Sequence, residues 1–150
     1  MQSVINSIIN HIRSSVPQLR YVSRNWNQLS YEQPPLQFPC ALVDIESISL
    51  SEIKHGAHIA NATISITVAN SVLHRDNPKA SDDFLALVQQ IVDSANLFSP
   101  PNAQPLIVSA ISKAYSDRSY DVFSISLSTA WTHRLQPTTA LPPSPVISIK

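Results

Sequence analysis

The amino-acid sequence predicts an α+β fold: an antiparallel β-sheet of about four strands with two amphipathic helices packed on one face, followed by a proline-rich C-terminal tail. Three observations predict it. Two segments repeat apolar residues at the three–four spacing of a helix face. Four longer segments alternate apolar and polar residues, as half-buried strands do. The strands come in adjacent pairs, so hairpins are expected instead of the strict strand–helix alternation of a parallel sheet.

The first helix is read over residues 2–16. Val4, Ile5, Ile8, Ile9, Ile12 and Val16 fall on one face, Asn6, Asn10 and Arg13 fall on the other, and Pro17 stops the pattern. Residues 18–39 are the least regular. "LRYVS" is a candidate short strand, and "RNWNQLSYEQPPLQFP" reads as an extended loop. Trp26, Tyr31 and Phe38 are available to pin that loop down, and aromatic anchors are the commoner use of such residues.

A strand is expected from about Cys40 to Ile53. Val43 and Ile45 share one parity while Ile48 and Leu50 share the other, so the slip near Glu46–Ser47 predicts a β-bulge. "KHGAH" contains the only glycine, Gly56, and reads as the turn into a second strand over 58–72. Asn77 and Pro78 form a helix start, an N-cap followed by proline in the first turn, and Asp82 and Asp83 suit the same end. Phe84, Leu87, Val88, Ile91, Val92 and Ala95 then make one apolar stripe through Leu97. Burying its five large members contributes roughly 8–15 kcal/mol, at about 1.5–3 kcal/mol each before entropy. "SPPNAQP" ends this helix, and "PLIVSAISKAY" and "YDVFSISLSTAW", joined by "SDRS", read as the closing hairpin. Residues 1–134 form the single domain and 135–150 the tail, whose end "VISIK" resembles a short strand added to this subunit or to another.

The polar faces of these strands are unusual. In "HIANATISITVANSVLH" the even positions Ala60, Ala62, Ile64, Ile66 and Val68 are apolar, and the odd positions Asn61, Thr63, Ser65 and Thr67 carry no charge. In the last strand Phe123, Ile125, Leu127 and Trp131 alternate with Ser124, Ser126 and Ser128. A solvated face ordinarily includes Lys or Glu. Hydroxyl rows can be solvated, since Thr suits strands, but they also allow close packing on another protein without burying unpaired charge. The candidate interface residues are therefore Thr63, Ser65 and Thr67, Ser124, Ser126 and Ser128, and the tail residues Val146, Ile147 and Ile149.

Composition narrows the function classes. Charged residues make up 13% of the chain, with ten basic and ten acidic residues. That balance exerts no general pull on nucleic acid or anionic membrane, and it does not oppose association between copies. Arg13, Arg20 and Arg24 lie around the first loop and Lys113 and Arg118 lie elsewhere, which is not a nucleic-acid-binding stripe. A single glycine excludes glycine-rich phosphate loops. The single cysteine, Cys40, excludes an intramolecular disulfide and reads as a small buried residue. The N-terminus lacks the basic region of a signal peptide, and no apolar run approaches a membrane span, so a soluble chain is expected.

No catalytic or metal constellation emerges. His55 and His58 sit at one end of the expected hairpin, and His74 and Asp76 at the other, so they cannot converge on a metal. No serine occupies a nucleophile elbow. Asp82 and Asp83 diverge around a helix, and Asp44 and Glu46 read as a solvated or interface pair on one strand face. No catalytic, cofactor-binding or metal-binding residue is expected, and the chain reads as a non-enzyme.

An N-terminal amphipathic helix and an aromatic, proline-bearing loop lead into "FPCALVDIES", whose strand start has the form P-x-A-x-V. With the next strand, the Asp-Asp-Phe-Leu helix and the closing hairpin, this order resembles the tail terminator (tail completion) proteins of long-tailed bacteriophages. The resemblance covers about residues 1–134. It implies a subunit of a homo-oligomeric ring, commonly a hexamer, that caps the tail tube, stops its polymerisation and meets the head–tail connector. It implies a virion protein of the tail or neck, assembled in the host cytoplasm, with no cofactor, membrane or specific nucleic-acid partner. Members of that family are often acidic, whereas this chain is neutral and rich in serine. Two other readings stay open: a different head–tail neck component, and a small protein-binding adaptor that uses Trp26 and Tyr31.

Overall fold

The longest local pattern in the chain becomes its longest structural unit. In the computed structural model, which describes residues 1–71, 78–116 and 120–134, β2 (Cys40–Lys54) and β3 (Ala57–Ser71) form a long antiparallel hairpin. His55 and Gly56 make its two-residue turn with φ of 50° and 80°. Two successive positive φ values match the right-handed twist of the flanking strands, and the second falls to the one residue without a Cβ. The register shifts between Ile45 and Ser47, where the apolar parity of the sequence slips. The bulge absorbs Glu46, so Ile45 and Ile48 both reach the helix side of the sheet.

The other elements are α1 (Gln2–Ser15), β1 (Tyr21–Arg24), α2 (Pro78–Ala95), β4 (Ile107–Ser116) and β5 (Tyr120–Arg134). They build one five-stranded sheet in the order β1-β2-β3-β5-β4. The α+β class and the two helices agree with the sequence pattern, but the strand count and the sheet type differ. "LRYVS" contributes a fifth strand, and β1 pairs with β2 in parallel, so the sheet is mixed. The reason is connectivity. Parallel neighbours need a crossover of about a dozen residues or more, and residues 25–39 between β1 and β2 supply it.

Both helices pack on one face. Ile8 and Ile12 of α1 and Phe84, Val88 and Ile91 of α2 are buried against Ala41, Val43, Ile64, Ile66, Val68, Ile125 and Leu127. The apolar positions expected from spacing are buried from Val4 to Val16 and from Phe84 to Ala95, but the second stripe stops there: Leu97 lies past the end of α2, has a positive φ of 68° and is exposed. His11 ties the helices together: its ring stacks on Phe98 at 3.9 Å, and Nε2 donates to the Ser94 carbonyl at 2.7 Å. The Asn77 cap, the turn at 117–119 and the tail 135–150 lie outside the described residues.

Candidate functional site

The face opposite the helices carries the hydroxyl rows, and the strand order joins them. β3 pairs with β5 so that Thr63 lies across from Ser128, Ser65 from Ser126, and Thr67 from Ser124. Two rows expected separately from the sequence thus form one ladder. β2 extends it with Ser47 beside Thr63 and Ser49 beside Asn61, and β4 extends it with Ser112 beside Ser124 and Ala110 beside Ser126. Cross-strand partners share a face, so this surface spans four strands. Asp44, paired with Ser65, brings the carboxylate on it. Glu46 has no cross-strand partner, because the register shifts between Ile45 and Ser47; with Ile45 and Ile48 both on the helix side, it falls on the same face as Asp44, as the spacing predicts.

The ladder is packed tightly along its own surface. Ser65 is only 5% exposed, Ser128 is exposed, and Thr63, Thr67, Ser124 and Ser126 are half-buried. Small side chains between short cross-strand neighbours lose water contact without any covering layer. Toward the turn end, the surface is concave. A hollow of about 450 Å³ has Ser47, Ser49, Asn61, Thr63 and Ser128 on its floor and Leu97, Pro105 and Ile107 along one wall. Leu97 is 65% exposed and Ile107 is 52% exposed, so a hydroxyl floor meets an apolar rim. Gln104 fixes that wall to β5: its N–H donates to the Ala130 carbonyl at 2.8 Å, and its own carbonyl accepts from Thr129 Oγ1 at 2.6 Å.

The other end of the same face is covered by the crossover. Leu29, Leu36 and Phe38 pack on Cys40, Leu42, Ala69, Tyr120 and Val122 as a second small core. Tyr120 donates its hydroxyl hydrogen to the Leu29 carbonyl. Gln28, fully buried, anchors the loop from within: Oε1 accepts from the Trp26 N–H at 2.8 Å, and Nε2 donates to the Arg24 carbonyl at 2.7 Å. Gln28 escapes a reading of the sequence, since a lone glutamine in a polar stretch has no periodicity to mark it. Of the three loop aromatics, Phe38 is an anchor, stacked 5.7 Å from Tyr120. Trp26 and Tyr31 are not. They meet edge to face at 5.6 Å and stay 49% and 54% exposed.

Chemistry is sparse. Cys40 is buried, and desolvation pushes its thiol up to about 12, against a smaller opposing effect from the backbone hydrogen bond to Ala69. A thiol held protonated is a poor nucleophile. No group of three or more potential metal ligands occurs among the described residues, and no described helix is long and apolar enough to cross a membrane. His58 Nδ1 lies 3.1 Å from the Gly56 carbonyl and stabilises the turn locally. Val146, Ile147 and Ile149 lie outside the described residues. The chain matches no family model and no curated protein.

Proposed function

We propose that this chain is a non-enzymatic structural subunit of a long-tailed bacteriophage, a tail terminator that assembles with copies of itself into a ring between the tail tube and the head connector. The observation that carries the reading is the hydroxyl ladder: one face, four strands wide, whose central cross-strand pairs Thr63–Ser128, Ser65–Ser126 and Thr67–Ser124 are small and uncharged, with Asp44 paired beside Ser65. Hydroxyls both donate and accept, so such a face can meet another protein surface in several registers, and the Asp44 carboxylate on it is the charge a partner surface must match. The order of helix, loop, hairpin, helix and hairpin supports the same reading through its resemblance to that family.

Size limits how the face is used. Strands about 4.8 Å apart and residues about 3.4 Å apart make the open part of the ladder roughly 500 Å². A stable interface covers about 800 Å² per partner. The ladder alone is too small, so its apolar rim at Leu97 and Ile107 belongs to the contact. A patch that recognises a different patch on the next copy produces a closed ring where the rotation between copies closes, whereas a self-complementary patch stops at a dimer. Native mass spectrometry and negative-stain microscopy of the purified chain test this. A closed ring of several copies is the expected result, and a monomer at every concentration would remove the proposal.

A second reading rests on its own observation. The exposed Trp26–Tyr31 pair on an anchored loop suits an adaptor that binds a peptide or protein through aromatic contacts. In that case the purified chain is monomeric, and replacing Trp26 abolishes binding while leaving the fold intact.

A further inference from the structure

Away from the ladder, at the outer edge of the sheet, two guanidinium groups are held in place without an anionic partner among the described residues. Arg13 of α1 donates through one terminal nitrogen to the Val22 carbonyl on β1 at 2.7 Å, and through the other to Asn10 Oδ1 at 3.3 Å. Arg24, at the end of β1, donates to Asn6 Oδ1 at 3.1 Å. Asn6, Asn10 and Arg13 stand three and four residues apart, so they share one face of α1. These residues, with Ile9 and Ser23, line a cleft of about 330 Å³ between α1 and β1.

The hydrogen bonds decide what the cleft can bind. Each asparagine uses its carbonyl oxygen to orient an arginine, so each turns its amide nitrogen, a donor, away from that bond. Both guanidiniums keep further N–H groups beyond those already engaged. Neither arginine pairs with a carboxylate among the described residues. The cleft therefore presents donors and two positive charges, with both asparagine oxygens turned onto the arginines. A single carboxylate would neutralise only one of those charges, whereas a phosphate group, with a charge of about −1.5 to −2 near neutral pH, matches both. Arginine also suits phosphate geometry, because its planar fork can donate two parallel hydrogen bonds. The cleft volume falls at the lower end of small-molecule sites, which leaves space for a substituent beyond the phosphate itself.

We propose that the cleft between α1 and β1 is a receptor for a phosphate dianion, either free or carried as the monoester end of a small molecule. This is independent of the hydroxyl ladder, which lies on the opposite face of the sheet.

The test is a titration of the full-length, isotope-labelled chain followed by nuclear magnetic resonance at neutral pH. The probes are inorganic phosphate, glycerol phosphate and acetate. Saturable shifts at Asn6, Asn10, Arg13 and Arg24 are expected with both phosphates. Tighter binding of glycerol phosphate identifies a monoester as the ligand, and equal binding identifies free phosphate. Losing one charge-assisted partner should weaken binding roughly tenfold to a hundredfold in Arg24→Gln. Arg13→Gln should do the same, but it also removes the bond to Val22, so Arg24→Gln, whose side chain bonds to Asn6, is the cleaner variant. Arg20→Gln, outside the cleft, should bind as the unaltered chain does. Non-saturating shifts, equal affinity for acetate, or equal loss in Arg20→Gln would each overturn the proposal.

Discussion

Replacing Gln28 with alanine should destabilise the whole domain, although Gln28 sits in a single 3-10 turn, Gln28–Ser30, within the crossover. The side chain is fully buried and joins the Trp26 N–H to the Arg24 carbonyl, so it bridges the start of the crossover to the end of β1. Alanine removes both partners at once and leaves a donor and an acceptor without their side-chain contacts. An unsatisfied buried polar group costs about 1–3 kcal/mol, and the space left behind adds to it, so the loss should be about 3 kcal/mol. For a domain of this size, about 2–4 °C of melting temperature accompanies each kcal/mol, which places the expected drop at roughly 6–12 °C. Thermal unfolding followed by circular dichroism measures it, and tryptophan fluorescence adds the loop through Trp26 to the core signal of Trp131. The loop caps the second small core at Leu29 and Phe38, so the two signals should fall together. A melting temperature within about 2 °C of the unaltered chain would refute the anchoring role.

Other predictions address the surface and the thiol. Ser126→Lys places a charge in the centre of the ladder; it should abolish assembly while changing stability by less than about 1 kcal/mol, because a half-buried lysine can extend its ammonium to water. Sedimentation velocity beside a thermal melt separates the two effects. Deleting residues 135–150 should leave cooperative unfolding intact but weaken assembly, and loss of cooperativity would assign the tail to the core. Cys40 should resist maleimide at neutral pH until the chain unfolds. The folded thiol is raised to about 12 and keeps its proton while the unfolded thiol loses one, so this group's contribution to stability falls as pH climbs from the ordinary thiol range toward 12. The expected slope is about 1.4 kcal/mol per pH unit, read from denaturation midpoints across alkaline buffers.

Where periodicity is strong and local, the sequence anticipates the fold. The stripe from Phe84 to Ala95 and the stripe from Val4 to Ile12 are buried as spaced, and the parity slip at Glu46 coincides with the register shift. That Ile45 and Ile48, of opposite parity, both face the helices is readable directly because a bulge flips side-chain parity. Four features are not legible. The direction of β1 depends on a crossover that brings Tyr21 beside Cys40, and four residues have no pattern that encodes direction. The ladder depends on β3 meeting β5 across the intervening helix and strand; alternation shows that both strands have hydroxyl faces, but not that those faces adjoin. Gln28 and the Arg13–Arg24 cleft depend on single side chains that converge from separate elements. Such convergence is a property of tertiary geometry, and composition carries no trace of it.

The claim on which the function depends is that the hydroxyl ladder lies against another copy of the chain. A Ser128→Cys variant tests it most directly, because Ser128 is exposed on the single subunit and the native Cys40 is buried and protonated. Maleimide labelling of the introduced thiol should be rapid in dilute, monomeric protein and strongly suppressed in the assembled fraction, with the change following the oligomer mass. Equal labelling of that thiol in both fractions, or a chain that stays monomeric at every concentration, would contradict the account.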